Sequence, residues 1–239
     1  MTIDVGALGI KLFADGADLN GMLEMYNKPF IKGLTTNPTL MRKAGITDYK
    51  LFAREVLESI KDKPVSFEVF SDDFDDMERQ GLEIANWGDN VYVKIPVTNT
   101  KGASTFHVIQ KLVSKGCKVN VTAIMTVAQV EHIAKALDPE VPSYVSVFAG
   151  RIADTGRDPE EIMKVTLDKI KHLTKAELIW ASPRELLNVF QAASIGCHII
   201  TATNDLLNKL PLVGKDLTDY SLDTVKMFAD DAVKSGFRL

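Results

Sequence analysis

One pattern constrains this chain more than any other. Short runs of β-branched and aromatic residues alternate with stretches of helical periodicity, about eight times, at a spacing of roughly 25 residues. The strand-like runs fall at 10–15, 33–38, 64–70, 91–96, 118–124, 144–149, 177–181 and 198–203. Helical stretches fill the gaps: one after Asp18, then 39–60 with an interruption near Gly45, 77–85, 104–115, 127–137, 159–173, 183–194 and 205–210. Asp18 and Asp158 are placed to cap helices, Pro159 stands at a first helical position, and Ser71-Asp72-Asp73 is a capping cluster. Repeated strand–helix units imply a parallel sheet, because the helix carries the chain back to the end from which the next strand starts. Eight such units in 239 residues predict an α/β fold closed as a (β/α)8 TIM barrel, one domain over 1–239. The alternative, an open doubly wound sheet, lacks its usual glycine-rich turn. Ala14-Asp15-Gly16-Ala17-Asp18 has one glycine and two acids, which would repel a pyrophosphate.

Composition narrows the function classes. The chain is 46% hydrophobic and 25% charged, with a net charge of −4 and its basic residues scattered. That argues against non-specific nucleic-acid binding. The start of the chain lacks a basic, then apolar leader, and no window approaches ~18 uninterrupted apolar residues, so the expectation is a cytoplasmic protein without a membrane partner. Cys117 and Cys197 give no disulfide framework and read as small buried residues. His107, His132, His172 and His198 show no metal-ligand spacing, so no metal is expected.

Barrel chemistry gathers at the C-terminal strand ends. Those ends carry Asp15; Thr35, Thr36 and Asn37; Glu68; Lys94; Asn120 and Thr122; Ser146 and Arg151; Ser182 and Arg184. Lys94 lies within the apolar strand Val91-Tyr92-Val93-Lys94-Ile95-Pro96. Two readings compete. Its ammonium snorkels to solvent at a strand end, or its amine is held in a dry pocket, ready to attack a carbonyl. The others have bland readings too: Asp15 as a cap, Asn37 as a turn residue, the threonines and serines as strand residues, the arginines as surface charges. Converging at one mouth, they form the parts for Schiff-base chemistry. An amine adds to a ketone, a carboxylate takes a hydroxyl proton, a second acid or base shuttles protons, and two arginines with a serine suit a phosphate.

In Gly33-Leu34-Thr35-Thr36-Asn37-Pro38-Thr39-Leu40, Val93-Lys94-Ile95-Pro96-Val97-Thr98, Asn120-Val121-Thr122, Ser146-Val147-Phe148-Ala149-Gly150-Arg151 and Ala181-Ser182-Pro183-Arg184, the chain resembles the transaldolase family in its small single-domain branch. The resemblance implies a (β/α)8 barrel with Lys94 as the Schiff-base lysine and Asp15 as acid/base for C–C cleavage. By the same resemblance Glu68 and Thr122 hold a catalytic water. Thr36, Asn37, Asn120, Ser146 and Phe148 face the sugar, and Arg151, Ser182 and Arg184 bind phosphate. The implied reaction passes a dihydroxyacetone unit from a ketose phosphate to an aldose phosphate, without metal or organic cofactor. Fructose 6-phosphate aldolases of the same superfamily typically have glutamine where Glu68 stands and tyrosine where Phe148 stands, which favours transfer here. An aldolase, a transaldolase for a sulfonated sugar and a non-catalytic barrel subunit are the alternatives. Gly16, Val147, Pro183 and Thr201-Ala202-Thr203 depart from the family pattern around the mouth.

The last helix, expected at 222–235, carries an apolar stripe of Leu222, Val225, Phe228, Ala229, Ala232 and Val233, with Phe237 beyond it. It either closes the chain's own barrel or packs on a neighbour. The resemblance implies the second, in a homo-oligomer of five or ten chains.

Overall fold

The structure, a computed structural model, describes residues 8–236 and 238. The first half runs β1 (Lys11–Asp15), α1 (Leu19–Tyr26), β2 (Ile31–Thr35), α2 (Pro38–Lys43), α3 (Tyr49–Ser59), β3 (Val65–Glu68), α4 (Phe74–Ala85) and β4 (Val91–Pro96). The second half runs α5 (Phe106–Ser114), β5 (Val119–Ile124), α6 (Val127–Ile133), β6 (Ser143–Val147), α7 (Ala149–Ala153), α8 (Pro159–Ile170), β7 (Ala176–Trp180), α9 (Leu187–Ser194) and β8 (Ile199–Thr203). Then come α10 (Asn204–Leu207), a 3-10 turn at Leu210–Leu212 and α11 (Leu217–Ser235). All eight strands are parallel, each pairs with the next, and β8 pairs with β1, so the expected barrel is closed.

Strand alternation gives the wall two faces. Leu12, Val65, Phe67, Val93, Ile95, Val121, Val145, Leu178 and Ile200 face the helices and join them in the main core. A second, separate cluster of Phe13, Tyr144, Ile179, Ala181 and Ile199, with Tyr92 and Phe148 against it, fills the lumen. Tyr92 and Tyr144 stack at 4.0 Å, and Phe13 meets Tyr144 edge-on at 5.7 Å. Gly33 stands opposite Phe13, where a Cβ would come within 2.5 Å of its ring. The glycine makes room for the plug. This aromatic layer is the floor on which the polar residues of the mouth rest.

Several boundaries differ from the sequence expectation, each for a local reason. The strand expected at 33–38 is Ile31–Thr35; Pro38 opens α2 instead of ending the strand, and Asn37 caps that helix by accepting from the Leu40 N–H at 2.9 Å. Positive φ at Gly45 separates α2 from α3, as the interruption predicts. The strand expected at 144–149 stops at Val147, and an unforeseen short helix, α7, carries Arg151. The helix expected from 183 starts only at Leu187, because the Asn188 side chain reaches back to accept from the Arg184 and Glu185 N–H groups and holds that segment as a turn. Asp18, Asp73 and Asp158 cap α1, α4 and α8 as expected.

Helix α11 starts earlier than predicted, capped by Asp216, and none of its 19 residues is buried. Leu217, Leu222, Val225, Met227, Phe228 and Val233 are all at least half exposed. It therefore does not close its own barrel; Phe237 lies outside the described residues.

Candidate active site

The C-terminal mouth encloses a cavity of about 410 Å³. Of the residues expected at the mouth, Asp15, Asn37, Glu68, Lys94, Asn120, Thr122, Ser146, Phe148, Arg151, Ser182 and Arg184 line it. Thr36 does not. It is fully buried, and its hydroxyl donates to the Ser66 carbonyl at 2.9 Å. Thr35 and Thr36 lie on opposite faces of the wall, so only one can enter the lumen, and Thr35 is the one that does. Thr36 contributes its backbone carbonyl instead, which accepts from Lys94 Nζ at 2.9 Å.

Lys94 is buried, which decides against snorkelling. Its Nζ lies 3.2 Å from Glu68 Oε2, and Glu68 and Lys94 are register partners on β3 and β4. The pair faces the cavity with little solvent on either side chain, 8% and 16% exposed. Glu68 is itself anchored by a residue not foreseen in the sequence. The Tyr49 hydroxyl donates to the Glu68 carbonyl at 2.9 Å from an aromatic cluster with Phe67, Phe70 and Trp87.

Asp15 sits at the end of β1 beside Thr35, its register partner. Thr35 donates to Oδ1 at 2.7 Å, and the Asn37 amide donates to Oδ2 at 3.2 Å. Burial raises the Asp15 pKa above the ordinary carboxylate value, against the charge of Lys94 and these two hydrogen bonds, which pull it down. Asn120 is sealed from solvent and its amide is committed: Nδ2 donates to Ser66 Oγ at 3.0 Å, and Oδ1 accepts from Ser146 Oγ at 2.7 Å. Next to it, the buried Thr122 hydroxyl has no protein partner. A one-residue register jump between Val121 and Ile124 puts Ala123 at φ 61°, a bulge that brings both Thr122 and Ala123 to the cavity.

The far wall is built by α7 and the segment after β7, which touch backbone to backbone. A Cβ on Gly150 would fall 1.6 Å from the Ser182 carbonyl, and Ser182 takes the left-handed φ of 60°. Such a conformation costs a serine about 1–3 kcal/mol, so the contact over-determines it. The close approach sets Arg151 and Arg184 along one rim, both exposed. Arg184 is also paired with Asp154 through both Nε and Nη2, a contact not read from the sequence. Cys117 and Cys197 are buried as expected, and burial pushes the Cys197 thiol up to about 12. Among the described residues no group of three His, Cys, Asp or Glu could hold a metal ion, and no helix is long and apolar enough to cross a membrane.

The chain is similar to known proteins along most of its length. A family model described as Transaldolase/Fructose-6-phosphate aldolase matches residues 12–239. A "Probable transaldolase" of Thermoanaerobacter sp. (strain X514) is 34% identical over 231 residues, 96% of this chain and 100% of that one. A "Probable transaldolase 2" of Listeria monocytogenes serovar 1/2a is 36% identical over 219 residues, 90% and 95% of the two chains. A crystal structure of a candidate phosphonomutase from Burkholderia cenocepacia J2315 covers 95% of this chain and 97% of that chain with a TM-score of 0.55 and 12% identity, a likeness of fold alone.

Proposed function

Since the chain belongs to the transaldolase/fructose-6-phosphate aldolase family, we propose that it is a transaldolase, moving a dihydroxyacetone unit from a ketose phosphate to an aldose phosphate through a Schiff base on Lys94. The observation that carries this reading is the pair of buried Lys94 and half-buried Glu68 facing Asp15 across one cavity. Glu68 Oε2 is placed to take a proton from the Lys94 ammonium. The free amine adds to the donor ketone, and loss of water leaves a protonated imine. That imine is an electron sink. As Asp15 takes the proton of the hydroxyl next to the breaking C–C bond, the aldehyde product leaves and its electrons pass to the lysine-bound enamine. The enamine then attacks the acceptor aldehyde, Asp15 returns the proton, and water releases the new ketose. Glu68 and the unpartnered Thr122 hydroxyl hold the water of these steps. Asn37 and Ser146 meet sugar hydroxyls, with Asn120 holding Ser146 in place. Phe148 offers a ring without a proton to give, which favours waiting for an acceptor over hydrolytic release.

The test is a donor and acceptor assay by mass spectrometry. Fructose 6-phosphate with an aldose phosphate should yield the transferred ketose, and fructose 6-phosphate alone should yield little free dihydroxyacetone. Free release at the rate of transfer would make the protein an aldolase; neither product would sink the reading. Phe148→Tyr should shift the balance towards release, and an unchanged balance would leave Phe148 as packing. In the same assay Arg184→Ala should raise KM for phosphorylated donors about tenfold, with unphosphorylated donors hardly changed. The effect is held to that scale by the exposure of Arg184 and its Asp154 partner. Equal losses for both donors would place the phosphate elsewhere.

The exposed apolar face of α11 belongs in the same proposal, as a surface covered by a second copy of the chain. Light scattering should show a multiple of the chain mass that falls on Phe228→Asp, a change that costs an exposed helix position little by itself. An unchanged mass would remove α11 from the assembly.

A further inference from the structure

We infer that Thr201, on β8, is a positioning residue that acts on Asp15 through Thr35, as the far end of a chain of two hydroxyl groups. This rests on the reading of Asp15 as the group that takes the substrate proton. Thr35 Oγ1 donates to Asp15 Oδ1 at 2.7 Å, and the same Thr35 oxygen lies 2.6 Å from Thr201 Oγ1. A threonine hydroxyl has one hydrogen. With the Thr35 hydrogen given to the carboxylate, the hydrogen between the two threonines comes from Thr201. The direction Thr201 to Thr35 to Asp15 thus follows from counting. Thr35 and Thr201 are 2% and 7% exposed, so water competes little for either hydroxyl. In such a site each hydrogen bond polarises the next. The chain joins three neighbouring strands, β8, β1 and β2, around one carboxylate.

The arrangement answers to the protonation of Asp15. While the carboxylate is ionised, both hydroxyls point towards it. Once it holds the substrate proton, Asp15 can donate to Thr35, the Thr35 hydrogen turns to Thr201, and the Thr201 hydrogen swings out to the cavity that Thr201 lines. One proton enters at Asp15 and none leaves the chain. The charge acting on Asp15 is that of Lys94 from β4, itself paired with Glu68 from β3. The other elements against β1 bring Asn37, whose amide donates to Asp15, and exposed acids: Asp18, engaged as the cap of α1, and Asp205 on α10. The hydroxyl pair is therefore the part of this surround that can reverse its direction.

The test compares Thr201→Val, Thr201→Ser and Thr35→Val in the transfer assay across pH, with thermal melting as the control for folding. Without its donor, Thr35 binds the carboxylate less strongly, the ionised form loses stabilisation, and the acid limb of kcat/KM moves up. For Thr201→Val we expect a limb about half a pH unit higher and kcat about fivefold lower, with KM changed less than about twofold. Thr35→Val should move the limb further in the same direction, and Thr201→Ser should restore both rate and limb. Thr201→Ala removes the same hydroxyl and is read in the same way if valine does not fit. An unmoved limb in the hydroxyl-free variants overturns the inference, as does a limb that serine fails to restore. Asp15→Asn separates the two readings. If it keeps turnover, the base assignment falls; if it is inactive while the Thr201→Val limb is unmoved, only the hydroxyl chain falls.

Discussion

Lys94→Met should abolish turnover, by on the order of 10⁴-fold or more, the scale on which loss of a covalent nucleophile falls. It should also abolish the adduct that the wild-type chain forms with fructose 6-phosphate and sodium borohydride, which reduces the imine to a stable amine. In the wild type the added mass should sit on the peptide holding Lys94. Among the described residues Lys94 is the lysine that is buried, and it faces the cavity with a carboxylate at 3.2 Å. Removing it has a second consequence, since Glu68 would keep a charge in a site with little water. A half-broken buried pair is more costly than no pair. Lys94→Met combined with Glu68→Gln removes both charges. The double variant should recover stability and still neither label nor turn over. A label on another lysine, or turnover in either variant, would end the Schiff-base assignment.

How much of this was legible in the sequence depended on which physics wrote each feature. Strand β4 is legible at its full bounds, Val91–Pro96, because β-branched and aromatic residues flank Lys94 in a short run that a proline closes. The caps at Asp18, Asp73 and Asp158 were legible because they act within three residues of themselves. Helix α7 was not, since five residues without a side-chain cap show no periodicity. The late start of α9 was hidden for a different reason. Pro183 resembles a first-turn signal, and the side chain that overrides it, Asn188, lies inside the helix it delays. Thr36 was misplaced by taking both threonines as mouth residues, where a wall that alternates its faces admits one. Ser66, Tyr49 and Asp154 were missed because each acts through a partner distant in sequence, and Thr201 stood out only as a departure at the mouth, its partner Thr35 lying 166 residues away. The apolar stripe of α11 could be read, but not what it packs on, since a buried face and an interface have the same composition.

Asp15→Asn is the sharper test of the chemistry, because it should divide two steps that Lys94→Met stops together. Imine formation needs Lys94, with Glu68 beside it; C–C cleavage needs a base. Asparagine at 15 cannot take the proton, so transfer should fall about 10³-fold, in the range for loss of a general base. Borohydride labelling of Lys94 should persist. The substitution has a structural cost that can be stated beforehand. Asn37 Oδ1 is engaged by the Leu40 N–H, so the Asn37 amide keeps its Nδ2 towards residue 15. An asparagine there that accepts from Thr35 turns its own NH₂ against that NH₂, a lost hydrogen bond of about 1–2 kcal/mol, to be checked by thermal melting. The pH dependence has a defined sign. Burial raises the Asp15 pKa, the charge of Lys94 and the bonds from Thr35 and Asn37 oppose it, and burial prevails. The base form is therefore lost on acidification sooner than for a free aspartate, near ~3.9. The acid limb of wild-type kcat/KM should lie above that value, and the residual activity of Asp15→Asn should lack the limb. A variant that fails to label has lost its fold or its imine chemistry, and melting tells which. A variant that labels and still transfers at the wild-type rate would move the base to another group, and Glu68, bonded to Lys94, would be the next to replace.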